Sequence, residues 1–116
     1  MILTHAHQMK GSFNMNITYE TLDDQMTVKL TGEIDHHNAK LTREKIDTAI
    51  KSESPKKLIL DMSAITFCDS SGLGLIMGRY KIMNENGGEL YINSPTKSVE
   101  KIIRLSGLDK LVKIID

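Results

Sequence analysis

Three adjacent polar residues, Asp69, Ser70 and Ser71, separate the apolar pair Phe67-Cys68 from a segment that carries Gly72, Gly74 and Gly78. Hydroxyls and carboxylates at the start of a helix commonly accept hydrogen bonds from the backbone N–H groups that the first turn leaves unpaired. Capping alone therefore accounts for residues of these types at this place. Two kinds of chemistry compete with it, a serine that attacks a substrate and a serine that receives a group. An attacking serine needs a base to activate it and a Gly-x-Ser-x-Gly elbow to present it. The elbow is absent, and the flanking residues of Ser70 are Asp69 and Ser71. His36 and His37 could approach only through the fold, so no catalytic residue is assigned.

A serine that receives phosphate fits better. Phosphorylation of Ser70 would add about −1.5 to −2 charges next to Asp69. The helix N-terminus would partly stabilise that charge in the free protein. A partner surface shaped for a neutral hydroxyl would instead meet bulk and repulsion. Gly72, Gly74 and Gly78 each cost a helix up to about 1 kcal/mol relative to Ala, so close approach of something must offset them. Gly74 and Gly78, four apart, leave one face nearly bare, open to the protein's own sheet or to a bound partner.

Other reactive residues read as structural. His5 with His7 and the adjacent His36-His37 lack a coherent metal-ligand spacing, and no metal site is assigned. His36 and His37, in a segment read as extended, should point in opposite directions, making loop hydrogen bonds or lining an interface. Cys68 has no basic sequence neighbour to activate it and is expected to be buried. Met26, Met77 and Met83 fall on apolar faces, where thioethers fill gaps, and call for no cofactor. No P-loop or Gly-x-Gly-x-x-Gly fingerprint is present, and Lys56-Lys57 is too small a basic cluster for nucleic acid.

The elements that would position these residues follow from period and punctuation. Residues 1–14 show no clear period and are read as a flexible tail, or in part a remnant of cloning, outside the fold. Asn16 to Glu20 reads as a strand, Asp23-Asp24 as a hairpin turn, and Met26, Val28 and Leu30 alternate as in a half-buried strand. Asn38 can cap a helix through about Ser52 with Ala39, Ile46, Ala49 and Ile50 inward and Leu41 off the stripe, while Lys40 and Arg43 lie elsewhere. After Pro55, the run Leu58-Ile59-Leu60 suits a central strand covered on both faces. A helix from about Ser71 to Asn86 should turn Leu73, Ile76, Met77, Tyr80 and Met83 inward and end at Gly87-Gly88. Glu89 to Asn93 reads as a strand. Ser94-Pro95 then caps and opens a helix with Val99, Ile102 and Ile103 inward, which Gly107 stops before a last strand, Leu111 to Ile115.

The whole is an α/β single domain with a mixed sheet and packed helices, residues 15–116. Bulk composition agrees: 116 residues suffice for one core, with 40% apolar and 26% charged residues. Fifteen basic residues balance fifteen acidic ones, so no net field draws in nucleic acid or an anionic membrane. One cysteine gives no disulfide framework, which suits a reducing cytoplasm. No stretch approaches the roughly 20 apolar residues of a membrane helix.

Gly32-Glu33-Ile34-Asp35-His36-His37, Phe67 through Gly74, Gly78-Arg79-Tyr80, Ser94-Pro95 and Ser106-Gly107-Leu108 together closely resemble the STAS-type anti-sigma-factor antagonists, in particular the sporulation branch. The resemblance runs from about Asn16 to Asp116. It implies the STAS fold and a protein that is substrate and ligand, not an enzyme. The unmodified form would bind an anti-sigma factor that is also a serine kinase, freeing the sigma factor. The kinase, supplying ATP and magnesium, would then phosphorylate the first serine of the motif, Ser70, and a separate serine phosphatase would reverse it. Asp35 matches a family acidic residue that meets a basic residue of the kinase. His36, His37, Asp69, Ser70, Ser71, Gly72 and Gly74 complete the implied partner-binding set, on a monomer with no cofactor. The departures are an N-terminal extension, Cys68 where another apolar residue is common, and little chain beyond the last strand. The alternative is a STAS interaction module of another signalling complex, with Ser70 merely a cap.

Overall fold

The computed structural model describes residues 4–10 and 15–116, with side chains from residue 15 onward. Six strands and three helices follow in the order β1 (Thr4–Lys10), β2 (Met15–Leu22), β3 (Gln25–Ile34), α1 (Ala39–Glu53), β4 (Lys57–Cys68), α2 (Ser70–Glu85), β5 (Glu89–Asn93), α3 (Lys97–Ser106) and β6 (Lys113–Ile115), with a 3-10 turn at Leu108–Lys110. The strands form one sheet whose spatial order is the chain order. β1, β2 and β3 pair antiparallel, and β3 through β6 pair parallel. This is the expected mixed α/β sheet.

Register explains the core. Tyr19, Val28, Leu60 and Ile92 stand opposite one another across β2 to β5, and the last three have no exposed surface. Each such side chain contributes on the order of 1.5–3 kcal/mol by leaving water. Against this face pack Ile46, Ala49 and Ile50 of α1, Leu75, Ile76 and Met83 of α2, and Val99 and Ile103 of α3. One residue along, the row Thr27, Ile59, Tyr91 and Lys113 lies on the other face, as the two-residue strand period requires. There Lys57 Nζ sits 5.1 Å from the Tyr91 ring centroid. The β2–β3 hairpin turns at Asp23-Asp24, with Asp23 at φ +54°, a conformation Asp accepts more readily than most residues.

Several elements differ from their sequence expectations. Residues 4–10, expected outside the fold, form β1 and pair along β2 from Thr4↔Leu22 to Lys10↔Asn16. Backbone ladders satisfy N–H and C=O groups whatever the side-chain period, so the irregular pattern did not announce this strand. Phe67-Cys68, the apolar pair before the polar triplet, belongs to β4, because two register shifts keep β4 paired with β3 as far as Ile34↔Cys68.

In α2 the buried stripe is Gly72, Leu75, Ile76, Arg79 and Met83, whereas Leu73, Met77 and Tyr80 are only half-buried at its flank. The cap of α3 is Thr96 and not Ser94, whose N–H donates to the Ile115 carbonyl and whose φ of +50° places it in the β5 exit. Leu111 is exposed beyond the 3-10 turn, which shortens the last strand. Gly87, at φ +73°, ends α2 as expected. At Gly88 a Cβ would stand 2.7 Å from the Lys56 carbonyl oxygen, so this turn tolerates no side chain.

Candidate functional site

The parallel pairing of β3 with β4 ends at Ile34↔Cys68, so the chain leaves both strands at the same end of the sheet. The Asp69 N–H donates to the Ile34 carbonyl at 3.1 Å. Asp69 has extended backbone and caps α2, its Oδ1 accepting from the Ser71 N–H at 2.8 Å. Ser70, the first residue of α2, is exposed, and Ser71 is half-buried.

Asp35 begins the facing turn. Its Oδ1 accepts from the N–H groups of His37 at 2.9 Å and Asn38 at 3.2 Å, and its carbonyl accepts from Ala39 N–H at 2.9 Å. Asn38 occupies the N-cap position of α1 as expected, but its side chain makes no cap bond to the helix. Buried, it turns back, accepting from Asp35 N–H at 3.1 Å and donating Nδ2–H to the Glu33 carbonyl at 2.8 Å. Asp35 and Asn38 thus hold the turn reciprocally.

His36 and His37 do not point apart. Residues 36–38 form a turn, not an extended segment, and the two exposed rings lie 3.9 Å apart at 37°. Each approaches a carboxylate: His36 Nδ1 is 4.0 Å from Asp69 Oδ2, and His37 Nδ1 is 3.8 Å from Asp35 Oδ1. Asp35, His36, His37, Asp69, Ser70 and Ser71 therefore share one surface. The side chains of His5 and His7 lie outside the described residues.

The three α2 glycines separate into two kinds. Gly72 is buried, and a Cβ there would collide with Cys68 Sγ, so this residue seats the helix on the end of β4 and does not face a partner. Gly74 is exposed, and neither Gly74 nor Gly78 has anything within 4 Å of where a Cβ would stand. The bare face is not filled by the protein's own sheet. Cys68 is buried, as expected, and burial, with the Asp69 charge second, pushes its thiol up to about 11.

Four charged residues that the sequence left unassigned lie on the adjoining α1–α2 pair. Arg79, 5% exposed, places Nε 2.9 Å from Asp47 Oδ1, linking α2 to α1. The two are close as ions but not aligned as a hydrogen bond, and Arg79 Nη1 has no hydrogen-bond partner among the described residues. Burial pushes the Asp47 carboxyl up and the Arg79 guanidinium down, each partly opposed by the other's charge. Lys40 and Arg43, exposed on α1, line a shallow depression of about 280 Å³ with His36, Ser71, Gly74 and Leu75. Sequence spacing within α1 gives no sign of this, since it depends on how α1 lies beside α2.

The STAS domain model matches residues 16–116. An anti-sigma F factor antagonist of Paenibacillus polymyxa is 37% identical over 103 residues, covering 89% of this chain and 88% of the relative. Among solved structures, an anti-sigma factor antagonist from Mycobacterium paratuberculosis superposes with a TM-score of 0.80 at 25% identity, over 92% of this chain and 90% of that one. The anti-sigma factor antagonist SpoIIAA in its unphosphorylated form gives 0.70 at 26% identity, over 95% and 87%. The Bacillus cell fate determinant SpoIIAA in the phosphorylated form gives 0.63 at 25% identity, over 95% and 90%. With the sheet order, the paired strand ends and the capped serine helix already in place, these matches agree that the chain belongs to the STAS domain family, among the anti-sigma-factor antagonists.

Proposed function

We propose that the unphosphorylated protein binds an anti-sigma factor with serine kinase activity, so releasing a sigma factor, and that phosphorylation of Ser70 ends the interaction. The observation that carries this reading is the exposure of Ser70 beside Asp69, whose carboxylate is already committed to the Ser71 N–H. A phosphate of about −1.5 to −2 charges there is repelled by the Asp69 carboxylate and lies where a docked partner would have to desolvate it. In the free protein the phosphate faces water and the positive end of α2, so the fold tolerates what the complex does not.

Asp35, His36, His37, Ser71 and Gly74 form the rest of the binding face, with Asp35 meeting a basic residue of the kinase. A separate serine phosphatase restores the active form. The chain acts in the cytoplasm as a monomer, as ligand and substrate and not as catalyst. Among the described residues no helix is long and apolar enough to cross a membrane. Relatives named for sigma F stand at 37% and 33% identity and those named for sigma B at 29%, which favours a sigma F type pathway.

Incubation of the full chain with its purified anti-sigma-factor kinase and Mg-ATP, followed by mass mapping, tests the assignment. Phosphate confined to Ser70 supports it. Phosphate at another residue, or none, refutes it.

A further inference from the structure

We infer that Lys40 and Arg43 form a second, oppositely charged element of the docking face, which receives a carboxylate of the anti-sigma-factor kinase. The inference rests on the function proposed above and adds the chemistry of the partner. Both side chains are exposed, and both line the depression that Ser71, Gly74 and Leu75 close from the α2 side. Neither appears in an ion pair among the described residues; Lys40 lies in the first turn of α1, just after the turn at Asp35, and Arg43 follows one helical turn later.

The charge pattern is ordered. Asp35 and Asp69 place negative charge around the histidine turn and Ser70, while Lys40 and Arg43 place positive charge on the depression that His36 and Ser71 share with them. On the α2 side Gly74 offers no side chain, with nothing within 4 Å of its missing Cβ, so a partner side chain can reach the floor of the depression. A partner complementary to this surface carries a base opposite Asp35 and an acid opposite Lys40 and Arg43. Such alternation fixes the register of docking, because a shifted partner sets like charges together.

A carboxylate suits the depression better than the phosphates of the kinase's ATP. Its lining on the α2 side is Ser71, Gly74 and Leu75, not the Ser70 hydroxyl to which the transferred phosphate must come in line. A protein side chain beside the acceptor fills the space without interfering with transfer.

The test measures phosphorylation of full-length protein by its purified kinase with Mg-ATP, comparing wild type with Lys40→Glu and with Lys40→Glu/Arg43→Glu, each checked for native circular dichroism. The single variant guards against an effect of Arg43 on the nearby Asp47. The expected result is a rise in KM for the protein of roughly ten-fold in the double variant, kcat within about two-fold, and a weaker dependence of KM on salt, as for rim charges that steer association. An unchanged protein KM overturns the inference, as does a rise in the KM for ATP alone. Wild-type protein that takes no phosphate at Ser70 in the same assay would instead defeat the proposed function itself.

Discussion

The N–H of Asp69 donates to the carbonyl of Ile34, so the cap of α2 is joined to the last residue of β3 by backbone alone. Ser70 and the start of the Asp35 turn are therefore tied together by a main-chain bond, and substitution of the exposed Ser70 should act on binding more than on folding.

Ser70 gives the simplest case. Because it is exposed and Asp69 supplies the cap, Ser70→Ala and Ser70→Asp should both unfold within about 0.5 kcal/mol of wild type in urea titrations. Calorimetric binding to the kinase should be retained by Ser70→Ala and weakened by at least about ten-fold in Ser70→Asp. Wild-type affinity in Ser70→Asp would contradict charge as the switch.

The structural part of Asp35 and its proposed part in binding can be separated by one substitution. Asp35→Asn keeps an oxygen to accept from His37 and Asn38 while removing the charge, so it should lose binding with little change in stability. Asp35→Ala loses the turn as well and should cost about 1 kcal/mol in addition, comparable to a lost cap. Equal stabilities of the two variants would show that the turn does not depend on this carboxylate.

Gly72 and Cys68 should be energetically coupled. Gly72→Ala drives a methyl into Cys68 Sγ and should destabilise by about 1–3 kcal/mol, much of which Cys68→Ala should recover in the double variant. Gly78→Ala, with open space around it, should instead stabilise α2 by up to about 1 kcal/mol. Additive effects of Gly72→Ala and Cys68→Ala in thermal unfolding would rule out the collision.

The Cys68 thiol also sets a pH window. Its folded-state value, raised from 9.0 to about 11, lies above that of the unfolded chain, so the folded state holds the proton longer. The associated stability is intact below pH 9 and is lost as pH rises toward 11, by about 2–3 kcal/mol in all. Urea unfolding from pH 8 to 10.5 should show a steeper decline for wild type than for Cys68→Ala. Parallel declines would mean that the buried thiol is not protected.

The Asp47–Arg79 pair should respond unequally to loss of either member. Asp47→Ala leaves a guanidinium buried at 5% exposure and should cost about 3 kcal/mol, the lower end for a stranded charge. Arg79→Met leaves a carboxylate that still touches water and should cost within about 1 kcal/mol. Denaturant midpoints of the two variants decide the order.

The strands and helices with strong alternation or firm stops were legible. Met26, Val28 and Leu30 marked β3, and the glycines at 87 and 107 ended α2 and α3 where their positive φ is needed. The face of α2 was misjudged because its inward stripe contains a glycine and an arginine. Apolar counting therefore selected Leu73, Met77 and Tyr80 in place of Gly72, Leu75 and Arg79. Gly72 was placed at the docking surface because nothing local distinguishes a glycine that packs on Cys68 from one that opens a face, as Gly74 does. β1 was invisible because a ladder asks only for backbone groups, and Lys40 and Arg43 became neighbours of Ser71 only through helix packing.

The agreement between spatial and chain order in the sheet bears on how the protein is made. No strand has to wait for a partner from a distant part of the sequence, and the largest gap bridged between paired strands is one helix. Each parallel pairing closes only across the adjacent crossover, though more slowly than the β2–β3 hairpin. On a ribosome the N-terminal hairpin could form first, and each later strand would find its template already laid down, with the serine-bearing helix seated once β4 has emerged.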